Sequence, residues 1–256
     1  MPSAIRHDHE LSSKGLVSIL SEAQGADEAT LEAFLWKTFP DNDCFASVGT
    51  FVPIPESKGI PYGAVIGVDG TLLWAGSPLA DSKKIEDLIQ AELTKVKKGW
   101  GDSPEAKKVR VALYDKGDLF AANTIVAAMP DGESKTTLQA EVDARFAVRK
   151  KAIDNLKNNG RWIEAQAAAK TLLKSVGTKA EWITEVQPIV ADFDSEAGKA
   201  ELALEKKFEK IEKALRDKKG DNAPKQIQAL LKNGGDGKVA ARLAKTLKAL
   251  ETPLKD

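Results

Sequence analysis

One cysteine, Cys44, and two histidines, His7 and His9, carry all the thiol and imidazole chemistry open to this 256-residue chain. A lone Cys44 cannot close an intramolecular disulfide or run a Cys-x-x-Cys cycle. It is followed by Phe-Ala-Ser-Val and neighboured by Asp41 and Asp43. No basic residue stands beside it to stabilise a thiolate, so it reads as an inert, at least half-buried thiol. His7 and His9 flank Asp8. Residues two apart do not share a helix face, and no further His or Cys completes a metal site. Nothing supports a Ser-His-Asp or Cys-His arrangement. The glycines do not form a phosphate cradle either. Gly67 and Gly70 sit in a hairpin pattern, and Gly234, Gly235 and Gly237 join two helical runs instead of following a strand.

The elements that would position any chemistry are clearest in residues 59–76. A proline-marked turn at Pro61 leads into an apolar run, Ala64 to Val68. Asp69-Gly70 follows, then a second β-rich run, Thr71 to Trp74. Asp-Gly between two such runs is a strong hairpin signal, since a type I′ turn needs positive φ at both central residues. Upstream, residues 3–13 read as a helix anchored by Ile5 and Leu11, and residues 15–21 as a strand. Residues 27–39 read as an amphipathic helix capped by Asp27 and stopped by Pro40. Residues 44–54 hold a short strand. Residues 82–96 read as a helix capped by Ser82, with Ile85, Leu88, Ile89 and Leu93 at helical spacing.

This order, with an X-Pro leading into a hairpin that turns at Asp-Gly, resembles the second half of a thioredoxin-like domain of the TlpA/thiol-disulfide reductase branch. The resemblance covers about residues 1–98. It implies that Ile60–Pro61 is a cis peptide. It also implies that Ile60 and Pro61 form the substrate-binding site, Ile60 offering backbone hydrogen bonds to a substrate peptide. A cis X-Pro is equally a tight turn with no further role. The family's dithiol is absent. Taking Leu11 as the leucine found after the family's Cys-x-x-Cys places Met1 on the first cysteine and Ala4 on the second, with Pro2-Ser3 between them. The strand that precedes those cysteines in the family is missing with them. The expectation is a chain that starts downstream of its natural beginning; the alternative is a redox-dead, rearranged relative.

Composition suits one large or two ordinary domains, with 42% hydrophobic and 30% charged residues. No run of 18 apolar residues is present, so no transmembrane helix is expected, and no signal peptide opens the chain as given. The net charge of zero is unevenly placed. Residues 1–100 hold 9 Lys+Arg against 14 Asp+Glu, and the remainder 29 against 24. A surplus of five positive charges over 156 residues is weak evidence for nucleic acid.

Gly99 to Pro104 punctuate a boundary, after which the chain reads as helical: residues 105–116, 119–129, 135–158, 162–176, 180–192, 196–219, 224–231 and 238–250. Two junctions, at Gly117 and Gly160, each follow a glycine with a bulky residue and then alanine. They resemble the joints of tetratricopeptide-type arrays, although their spacing of 43 residues is not that period. Leu204, Phe208, Ile211 and Leu215 recur at spacings of four, three and four, and read as the core stripe of a bundle helix. The lysines around them (Lys206, Lys207, Lys210, Lys213, Lys218, Lys219) interleave with glutamates and read as solvated faces.

The expected fold is therefore an incomplete α/β thioredoxin-like domain over residues 1–98, followed by an all-α helical-hairpin domain over residues 105–256. The expected function is that of a relative of thiol-disulfide oxidoreductases, inactive in redox as given and needing no cofactor. Its partner would be a protein. The resemblance implies an extracytoplasmic, periplasmic setting. Two alternatives stand beside it. One is a non-catalytic protein-binding scaffold made of a degenerate thioredoxin-like platform and helical repeats. The weaker one is a peroxiredoxin-like peroxidase using Cys44.

Overall fold

The computed structural model describes residues 2–22, 24–40, 42, 44–49 and 61–253. The chain forms two compact units, Met1–Gly25 with Asp43–Gln139, and Ala26–Asn42 with Ala140–Asp256. The glycine-rich junction at 99–104 lies inside the first of them.

The first unit opens with α1 (Pro2–Leu11) and a single 3₁₀ turn that Gly15 ends at φ +108°. Strand β1 (Ile19–Glu22) follows. The chain then leaves for α2 (Glu28–Thr38) of the second unit and returns as β2 (Phe45–Val48). β1 and β2 pair in parallel, Ile19 opposite Phe45 and Glu22 opposite Val48. β3 (Gly63–Ile66) and β4 (Leu72–Gly76) form an antiparallel hairpin.

The hairpin turns at Asp69-Gly70 as its sequence dictates, but not as a two-residue type I′ turn. Gly70 has φ +84°, whereas Asp69 keeps a negative φ. The amide of Gly70 donates to the Gly67 carbonyl (3.0 Å), and that of Gly67 to the Thr71 carbonyl (2.8 Å). The Asp69 carboxylate accepts from the Thr71 amide at 3.0 Å, closing an Asx-type turn. An irregularity between Val65 and Ile66 absorbs the wider loop.

The expected thioredoxin-like α/β domain is not present. Among the described residues the strands form two separate two-stranded sheets, β1–β2 and β3–β4, and the chain is 67% helical. A thioredoxin-like core needs one continuous sheet. Local patterning placed strands in the right neighbourhoods, but sheet order depends on pairing between distant strands, which no local pattern encodes. The apolar surface is closed by helices instead. α3 (Ser82–Lys98) packs Ile89 and Leu93 on Leu11, with Leu16 and Ile85 against them. Ser82 is the first helical residue rather than the cap. The preceding Asp81 does not cap the helix with its side chain either, because its carboxylate accepts the Trp74 indole N–H at 3.1 Å. Glu92 of α3 ties the hairpin down by accepting the Val68 amide at 2.9 Å.

α4 (Pro104–Arg110) begins on the Ser103 cap and runs into a π-helical turn, Val111–Asp115. α5 (Leu119–Ala127) begins on Asp118, which accepts the Ala121 amide at 2.8 Å. α6 (Glu133–Asn158) leads to α7 (Trp162–Ser175), α8 (Ala180–Asp192), α9 (Glu196–Arg216), α10 (Ala223–Asn233) and α11 (Lys238–Glu251). These helices fall close to where the 3.6-residue periodicity puts them.

In the second unit, alternate helices run in the same direction. Lys150 of α6 pairs with Glu185 of α8, and one heptad on Lys157 pairs with Asp192, each pair 35 residues apart. Lys157 also lies over the rings of Trp162 (4.9 Å) and Phe193 (5.7 Å). Phe146 stacks on Trp182 at 4.9 Å. α9 and α11 repeat the parallel arrangement, Glu201 reaching Lys238 and Glu205 reaching Arg242, each 37 residues on. α2 packs on α11, where Lys245 binds Glu28 (2.6 Å) and Glu32 (3.4 Å).

The small sheets are the weak part of this fold. Ile19 and Phe45 are 66% and 64% exposed side by side, and two-stranded sheets are marginal on their own. Amide hydrogen exchange is expected to be faster at residues 19–22 than across α9. Equal protection in a monomeric sample would show that β1 is held by contacts beyond its pairing with β2.

Candidate functional site

The residues singled out by resemblance fall as follows. Ile60, and with it the Ile60–Pro61 peptide, lies outside the described residues. Pro61 is exposed in the bend leading to β3. Cys44 is buried just before β2, in agreement with an inert thiol. On α1, Asp8 is buried while His7 is half-buried and His9 exposed, so the two imidazoles diverge. No group of three or more His, Cys, Asp or Glu among the described residues is placed to hold a metal ion.

The densest polar constellation belongs instead to α9. The helix starts on Ser195, which accepts the Gly198 amide at 3.0 Å. It carries glutamates at 201, 205 and 212, spaced four and seven apart, on the same side as the apolar seam of Leu204, Phe208 and Ile211. Together these glutamates fasten α9 to α7 and α11. Glu201 accepts the first amides of α11, from Lys238 (2.7 Å) and Val239 (3.0 Å). Glu205 accepts the Ile163 amide in the first turn of α7 at 2.6 Å. Its other oxygen takes Arg242 Nη1 at 3.0 Å, and Glu212 takes Arg242 Nη2 at 2.5 Å. The Arg242 guanidinium also donates to the Gly160 carbonyl (3.3 Å) and lies 5.1 Å from the Phe208 ring centre. Carboxylates at helix N-termini satisfy orphan amides and oppose the positive dipole end.

Glu205 and Glu212 are only 2% and 7% exposed. Burial pushes both carboxyls above their usual range. The Ile163 amide and Arg242 pull Glu205 back, and Arg242 pulls Glu212 back. Both Glu205 oxygens are already engaged by protein donors. The cluster is therefore suited to positioning helices, and not to turning over a substrate.

The opposite side of α9 carries Lys206, Lys207, Lys210 and Lys213, all exposed. With Ala203 and Glu209 they line a shallow, open depression of about 600 Å³. The sequence reading placed glutamates and lysines together on solvated faces. A signal that separates them was available: residues 201, 205 and 212 share the register of the seam at 204, 208, 211 and 215, while the four lysines fall on the far side of the helix. In comparisons with known proteins, no family model, no curated protein and no solved structure matches the chain.

Gly160, at φ +69°, turns the chain between α6 and α7 against the start of α11, and a Cβ there would sit 2.6 Å from the Lys238 carbonyl. Gly235 has a similar φ of +73° with no neighbour within 4 Å. Gly235→Ala is expected to cost about 1 kcal/mol of unfolding free energy, and Gly160→Ala at least about 2 kcal/mol more. Equal losses by urea denaturation would show that the contact with α11 yields easily.

The buried acids set a pH dependence. A carboxyl raised above the ordinary 4.5 keeps its proton in the folded state after the unfolded chain has lost its own. Its contribution is full below that value and is lost as pH rises through the folded pKa. Glu28, which its Lys245 hydrogen bond holds below the usual range, has the opposite sign and loses its contribution as pH falls. Subtracting a Glu205→Gln/Glu212→Gln variant cancels Glu28. The stability of wild type minus variant is expected to fall as pH rises from about 4.5 toward neutrality. A difference that is flat or rises would show that Arg242 outweighs burial.

Proposed function

We propose that this chain is a non-catalytic, protein-binding scaffold built from stacked helical hairpins. The observation that carries the reading is the same-direction stacking of α6 on α8 and of α9 on α11, with pair offsets of 35 and 37 residues. Arrays of this kind bury one face of each helix against its neighbours and leave an extended, regular surface free for a partner. The buried glutamates of α9, Glu205 and Glu212, are engaged by the Ile163 amide and by Arg242. The one thiol of the chain is buried at Cys44, and thiol-disulfide exchange needs an accessible thiolate and a second sulfur to resolve the mixed disulfide.

Two measurements test this. The purified chain is expected to reduce insulin disulfides no faster than a free monothiol of equal concentration. A partner captured by the chain and then purified is expected to rebind it at fixed stoichiometry in the presence of dithiothreitol. Dithiol-level turnover of insulin, or a partner held only through a reducible adduct, would overturn the scaffold reading.

A further inference from the structure

We infer that the outer face of α9 is a docking strip for an acidic protein segment, an inference that rests on the scaffold reading and names the chemistry of its partner. In sequence, α9 looks balanced, with lysines and glutamates interleaved. The fold separates them. Glu201, Glu205 and Glu212 turn inward to α11, α7 and Arg242. Lys206, Lys207, Lys210 and Lys213 are left outside, with Glu209 the one acid lining the same depression. None of these four lysines has an ion-pair or hydrogen-bond partner among the described residues.

The result is a cationic strip two helical turns long, about 10 Å, on a chain whose net charge is zero. Its charges recur at i, i+4 and i+7 on a rigid helix, which matches carboxylates at the same spacing on a partner helix. No aromatic side chain lines the depression to stack a base, and charges repeating at one-helix spacing suit carboxylates carried on a second helix. Charge complementarity therefore favours an acidic polypeptide over a nucleic acid. Glu201, Glu205 and Glu212 are held inside by their bonds to α11, α7 and Arg242, which leaves Glu209 as the one acid set among the four lysines.

The test uses the full chain and a fluorescein-labelled helical peptide with glutamates at i, i+4 and i+7, read by fluorescence anisotropy. Duplex DNA and phosphatidylserine vesicles serve as parallel probes. The variant is Lys206→Gln/Lys207→Gln/Lys210→Gln/Lys213→Gln, and a charge-matched control replaces Lys225, Lys232, Lys238 and Lys248 with glutamine. All four strip lysines are exposed and unpaired among the described residues, so the variant's melting temperature is expected to match wild type. Peptide binding is expected to weaken at least about tenfold in the strip variant and less than about twofold in the control, and to weaken with added salt. No peptide binding, equal loss in both variants, or tighter binding of DNA or vesicles that the strip variant abolishes would each overturn the strip. Those results leave the scaffold reading standing, whereas insulin turnover would remove it independently.

Discussion

The second unit depends on a single guanidinium. Arg242 holds two carboxylates that are almost wholly out of water, and one of them simultaneously caps α7. A buried ion pair is a poor source of net stability, since desolvating each charge offsets much of the attraction. Its value here is geometric. Glu205 can satisfy the Ile163 amide and Arg242 together only when α7, α9 and α11 stand at one set of relative positions. A purely apolar seam of Leu204, Phe208 and Ile211 would tolerate sliding by a fraction of a turn, because hydrophobic contact is non-directional. The hydrogen-bonded acids convert a greasy interface into a register.

That constraint propagates outward along α9. A helix of alternating charge is ordinarily close to neutral on every face. Here Glu201 and Glu205 are taken inside to serve backbone amides and Glu212 to hold Arg242, so the outer face keeps a surplus of lysines as a consequence of packing. The basic strip and the buried network are two sides of the same arrangement of residues. Every glutamate committed to a cap is one that cannot screen a lysine on the far face.

The helical elements were legible because their signals are local. Apolar periodicity and the junction glycines Gly117 and Gly160, both at positive φ, act within a few residues. The hairpin was legible for the same reason, though Asp69 bonds the Thr71 amide and so widens the turn beyond two residues. The inward role of Glu201, Glu205 and Glu212 was readable from their phase on the helix, but charge alone argued for solvent. The partnership of α2 with α11 was not readable. Lys245 and Glu28 are 217 residues apart, and exposed lysine–glutamate pairs carry no signal that selects one partner among many.

The thioredoxin-like reading failed at the step from strands to sheet. β1 and β3 have the composition of central strands, and a motif match assumes that such strands neighbour a common third one. Among the described residues each pairs once, β1 with β2 and β3 with β4. Their apolar residues are then only partly covered, and Ile19, Phe45, Ile66 and Leu72 remain well exposed. A short apolar run therefore reports that a segment suits a pleated surface. It does not report that the surface is continuous, because continuity depends on backbone groups that distant segments must supply. Inside an α-helix each backbone bond is made to a residue four away, and side chains need only choose the phase. This asymmetry explains how one sequence could yield its helices almost residue by residue while its strands suggested a sheet that the chain does not form.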